Sequence, residues 1–111
     1  MRDSQVERDQ TAAAAPAIIF EAIVKLQCIA ATYNRGEVTL APHIVYTKHD
    51  ELFIDALTIE RDGKPPKEEK IGTFKLSGLI APRVTPRRFS PSPLFDAGDF
   101  KYATALMKIE A

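Results

Sequence analysis

The side chains able to do chemistry in this 111-residue chain are few, and their types suit holding a ligand better than transforming one. Tyr33, His43, Tyr46 and Phe53 recur at short intervals in one apolar stretch, where rings can stack on a base and an imidazole can supply a hydrogen bond. Lys70 and Lys75 follow, each a point charge able to meet a phosphate or a carboxylate. Arg83, Arg87 and Arg88, with Phe89 beside them, make the densest basic patch, of a kind that can track a nucleic-acid backbone or an acidic protein surface. Each group also has a plainer reading. Tyr46 and Phe53 can be core, His43 can sit at the surface behind Pro42, Lys75 can pair with Asp55 across a sheet, and the arginines can solubilise a loop.

Signatures of catalysis are missing. The sequence has no Gly-rich phosphate loop, no Gly-x-Ser-x-Gly elbow and no cysteine beside a base, so no enzymatic activity and no cofactor are expected. His43 and His49 lack the Cys/His/carboxylate spacing of a metal site, and His49-Asp50-Glu51 reads as a polar turn. Cys28, inside the apolar run 26–30, reads as a small buried hydrophobe, and a single cysteine fits a reducing compartment.

Charge sets a further bound. Fifteen basic and 15 acidic residues cancel, so no global field draws the chain onto nucleic acid or an anionic membrane, and any polyanion site must be local. The apolar run 12–20 is flanked by Asp3, Glu7 and Asp9, interrupted by Pro16 and followed by Glu21 and Lys25, unlike a signal peptide. No stretch approaches the roughly 18 uninterrupted apolar residues of a membrane span, and a cytoplasmic protein is expected.

The elements that must position these residues follow from pattern. Residues 1–10 are almost wholly polar and are expected to be a loose arm, leaving one domain over 11–111. A helix is predicted from Thr11 or Pro16, because Ile19, Ala22, Ile23 and Leu26 share one face and Glu21 and Lys25 pair on another. Short β-branched and aromatic runs then predict strands at 29–33, 37–40, 44–48, 51–59 and 70–76. Asn34-Arg35-Gly36 and His49-Asp50 are the hairpin turns, with Asn34 or Gly36 at positive φ, and Pro42 marks a strand end or corner. In 51–59 both faces are apolar, which predicts a central strand covered by a barrel interior and by the N-terminal helix; Asp55, the exception, needs a partner. Pro82, Pro86, Pro91 and Pro93 predict an irregular segment over 81–95. Phe100, Ala103 and Leu106 or Met107, behind Asp96 or Asp99 as caps, predict a C-terminal helix, with an edge strand as the alternative.

Taken in order, helix 17–26, Tyr33 at a strand end, Pro42, the strand Leu52-Phe53-Ile54-Asp55-Ala56, then Phe74-Lys75-Leu76 and Phe89, resemble a WYL domain over roughly residues 17 to 90. The resemblance implies a small Sm/SH3-like antiparallel β-barrel with an N-terminal helix, mainly β with a flanking helix, of the kind that senses ligands in bacterial transcription regulators. It places Lys75 where the family has a ligand-contacting arginine. Leu52 stands where the family has tryptophan, Phe53 where it has tyrosine, and Ser77-Gly78 where it has Asp-Arg. A stand-alone, non-enzymatic sensing or regulatory domain for a small anionic or nucleotide-like ligand is therefore expected. A protein-interaction or self-association module is the first alternative, and single-stranded nucleic-acid binding, expected to be weak, is the second.

Overall fold

The computed structural model describes residues 15–110; the expected loose arm at 1–10 lies outside the described residues. A helix, α1, runs over 15–25, and six strands follow: β1 Gln27–Tyr33, β2 Gly36–Lys48, β3 Glu51–Arg61, β4 Ile71–Lys75, β5 Ile80–Arg88 and β6 Ala105–Lys108. All pair antiparallel in one sheet ordered β4-β3-β2-β1-β5, with β6 added to β2. The domain is thus mainly β with one flanking helix. The expected closed barrel is not formed, since β4 and β5 end the path without pairing to each other. Among the described residues no helix is long and apolar enough to cross a membrane.

β2 organises the sheet. From Val38 to Lys48 it pairs with β3 along one edge, while its other edge is shared, Gly36 to Leu40 with β1 and Ile44 to Tyr46 with β6. The handover is made at a register shift between Pro42 and Ile44, a bulge that bends the strand where Pro42 has no N–H to donate. Sequence pattern put a strand end there, splitting 37–40 from 44–48; the bulge instead lets one 13-residue strand continue through it. The β1–β2 turn carries positive φ at Asn34 and Arg35 rather than at Gly36, and His49-Asp50 repeats the geometry, the twist-matched form of a two-residue hairpin.

The larger core cluster lies between α1 and the sheet. Ile19, Ala22 and Ile23 of the helix meet Ile29, Ala31, Val38, Leu40, Ile54 and Ala56, all buried. Alternation turns Cys28, Ala41, Asp55 and Leu57 to the opposite face. That second face was expected to line a barrel interior. It is covered instead by the chain after β5, whose Phe89, Phe95 and Tyr102 rings reach His43 and Tyr46.

Two other expectations are corrected. The segment 81–95 is not irregular throughout, because β5 runs to Arg88 through Pro82 and Pro86; it pairs only with β1, and an edge strand tolerates residues without N–H groups. The C-terminus takes the alternative reading, an edge strand: in place of the helix there is a short 3-10 turn, Phe100–Tyr102, followed by β6 at an edge. Asp99 caps as expected, accepting from Lys101 N at 3.0 Å, but the bonds that β6 gains from β2 outweigh the helical propensity of the run.

Candidate functional site

Tyr46, Phe53 and Lys75 stand in one row across β2, β3 and β4, as directly opposed partners Tyr46↔Phe53 and Phe53↔Lys75, so their side chains share a face. The Tyr46 and Phe53 rings stack at 6.1 Å. Lys75 does not reach Asp55 as pattern suggested; it pairs with Glu51 at 3.3 Å, both side chains being about half exposed. Opposite Asp55 stands Thr73.

Asp55 is 1% exposed and is the polar centre of this face. Its Oδ1 accepts from Tyr46 OH at 2.7 Å and from Thr73 Oγ1 at 2.8 Å. Its Oδ2 accepts from Tyr102 OH at 2.5 Å and from Lys101 Nζ at 2.9 Å. Burial by itself pushes the carboxyl up, but the bonds from Tyr102, Lys101, Tyr46 and Thr73 outweigh it and hold the group below its usual 3.8. Burial, then the bond to Asp55, pushes the Tyr102 phenol up, and the bond to Asp55 raises Lys101. Each Asp55 oxygen thus accepts two bonds from within the chain, which makes the cluster a clamp on residues 101–102. Sequence reasoning saw that Asp55 needed a partner but missed Tyr102 and Lys101, some 46 residues away in the chain.

His43 is buried, not at the surface behind Pro42. Its ring lies between Phe89 and Phe95, at 5.1 and 5.2 Å. Tyr33 belongs to neither group: it packs edge-on against Phe74 at 5.1 Å on the helix side, and a Cβ at Gly78 would come within 3.1 Å of its ring. Arg83 pairs with Glu37, Arg87 reaches Glu60 at 3.4 Å, and Arg88 is exposed, so acids on β2 and β3 answer two charges of the basic patch.

Lys70 lies elsewhere again, in the wall of a groove of about 720 Å3 formed by the β3–β4 connection. Its turn is tight: Asp62 and Gly63 take positive φ, Arg61 N donates to Lys64 O at 2.8 Å, and Lys64 N returns a bond at 3.1 Å. Asp62 ties this turn to β2, donating N–H to Glu37 O at 2.7 Å and accepting from Glu37 N at 3.0 Å. Arg61, Lys64, Lys67 and Lys70 then line the groove with Asp62, Glu68, Thr58 and Gly72, four cations against two acids and a formal +2. Lys64, Lys67 and Lys70 make no ion pair among the described residues. Asp62 is occupied by the Glu37 backbone, which leaves Glu68 as the groove's one acid not so held. Glu69, next to Glu68 in the chain, does not line the groove.

Of the six expected ligand residues, the structure thus gathers Tyr46, Phe53 and Lys75, and separates Tyr33, His43 and Lys70 from them. Compared with known proteins, the chain matches no family model, and no curated protein or solved structure is significantly similar to it.

Proposed function

We propose that this chain is a non-enzymatic binding domain that holds a small anionic or nucleotide-like ligand in the β3–β4 groove, as a WYL-like sensing or regulatory domain. The observation that carries the reading is the groove's charge: Arg61, Lys64, Lys67 and Lys70 surround one concavity in a chain whose total charge is zero. Walls of low dielectric concentrate such a local field, and three flexible ammonium groups suit phosphate or carboxylate oxygens. The strand order also supports the reading, since β5 returns to β1 after a 3-10 turn at Leu76–Gly78, the path of a sheet curling toward an Sm/SH3-like barrel. In this reading the ligand sits in the groove at Lys70, and Lys75 stays with Glu51.

Thermal melting with inorganic phosphate, pyrophosphate and ATP tests it. Pyrophosphate or ATP should raise the melting temperature, because a ligand at a hundred times its Kd stabilises by about 2.7 kcal/mol. The double variant Lys67→Glu/Lys70→Glu should abolish the rise and leave the ligand-free value unchanged, both side chains being exposed. Absence of a rise with all three anions contradicts the reading.

A second reading, a protein-interaction module, is favoured by Phe100, which is 96% exposed on the turn before β6. Sedimentation of wild type and Phe100→Ser tests it: self-association that the substitution removes would support this reading, and identical monomers would remove self-association from it.

A further inference from the structure

The contact between His43 and Ser92 joins β2 to the chain that covers it. His43 Nδ1 lies 2.8 Å from Ala41 O, which can only accept, so Nδ1 carries the proton and Nε2 presents a lone pair. Into that lone pair Ser92 N donates at 3.0 Å. Ser92 is itself buried, and its Oγ accepts from Leu94 N at 3.1 Å, closing the turn that places Phe95 on the His43 ring. One imidazole in one tautomer thus fixes the path of residues 90–95.

We propose that His43 is an acid-operated latch: a proton arriving at Nε2 removes the acceptor for Ser92 N–H and releases residues 90–95 from the sheet, uncovering the His43 ring on β2. The protonated ring would set N–H against N–H at 3.0 Å and leave a cation among Phe89, Phe95 and apolar β2 neighbours. Burial, opposed by the bond to Ala41, holds the imidazole below its usual 6.5.

Among the described residues no charged partner is placed to rescue the cation. From its own strand the ring meets the Ala41 carbonyl, and from the covering segment Phe89, Ser92 and Phe95. The thiol of Cys28 packs near Phe89 and is raised by burial, so it stays neutral in acid. On β3 the Asp55 carboxylate is already engaged by Lys101, Tyr46, Tyr102 and Thr73. On the β6 side Ile109 N donates to His43 O at 2.9 Å, and the flanking Lys108 and Glu110 are exposed.

The closed form binds this proton more weakly than the open form, so opening should rise as pH falls below 6.5, by about tenfold per pH unit until the closed-state value is reached. Asp55 adds nothing until below 3.8, which leaves the window between to His43. Amide hydrogen exchange on the full chain, followed by nuclear magnetic resonance and corrected for the intrinsic pH dependence of exchange, reads the opening at Ser92, Leu94 and Phe95. Those amides should lose protection on going from pH 7 to pH 5, while Ile29 and Ile54 keep theirs. In His43→Gln, whose side-chain oxygen can accept from Ser92 N–H but cannot titrate, the pH dependence should vanish. The imidazole 15N shift of wild type provides an independent readout. A His43 that titrates near 6.5 with Ser92 protection unchanged would overturn the latch, as would a wild type and a Gln variant with the same pH dependence.

Discussion

Replacing Asp55 with alanine removes one carboxylate and leaves four donors without their acceptor: Tyr46 OH, Thr73 Oγ1, Tyr102 OH and Lys101 Nζ. The four losses are unequal. Lys101 is nearly half exposed and can turn to water at little cost, and Thr73 is exposed as a residue. Tyr46 is 2% exposed, so its hydroxyl stays unpaired at about 1 to 3 kcal/mol, and Tyr102, half-buried, adds about 1 kcal/mol. Relief from burying a charge offsets the smaller costs at Lys101 and Thr73, and the net loss for Asp55→Ala, set by the two tyrosines, should be about 3 kcal/mol. At about 4 °C per kcal/mol for a domain of this size, the melting temperature should fall by about 12 °C. Urea denaturation at pH 7 measures the loss directly, and Asp55→Asn, which keeps two of the accepting geometries without the charge, should lose about half as much. A loss below about 1 kcal/mol for Asp55→Ala would show that the clamp does not hold the C-terminal segment, and the reasoning about this face would fail.

Lys75→Ala and Glu51→Ala should each change stability by less than about 0.5 kcal/mol, since both partners are exposed; urea midpoints within error of wild type are the expected result. Phe89→Ala should cost about 2 kcal/mol and speed labelling of Cys28 by a thiol reagent, because the half-buried ring packs on the cluster holding that thiol. Stability measured across pH should fall in two steps. His43 is depressed in the fold, so its contribution is complete above 6.5 and is lost as pH falls toward the folded value. Asp55 is also depressed, so a second loss begins below 3.8 and is absent in Asp55→Asn.

What the sequence made legible was local. The helical face Ile19, Ala22, Ile23 and the hairpin turns were readable because each depends on spacing or turn chemistry within a few residues. Less readable was β5, where Pro82 and Pro86 look like strand breakers until the strand is known to lie at an edge. β6 was read only as the alternative for a similar reason: ALMK favours a helix, and the free edge of β2 beyond the bulge makes it a strand. Lys75 was assigned to Asp55 because register was unknown; pairing Phe53 with Lys75 shifts the lysine one step toward Glu51. His43 was put at the surface because a corner proline precedes it, yet the covering segment that buries it lies about 50 residues on. Lys70 was singled out as a cation, but its groove depends on how the β3–β4 turn folds back against β2.

The central claim is that an anion binds between Arg61 and Gly72. An amide correlation spectrum of the 15N-labelled chain, titrated with pyrophosphate and then ATP at physiological ionic strength, tests it most directly. Saturable shifts should concentrate at Thr58, Arg61, Lys64, Lys67, Lys70 and Gly72, and should leave Arg83, Arg87 and Arg88 unmoved. Shifts confined to the three arginines, or none up to millimolar ligand, would contradict the account.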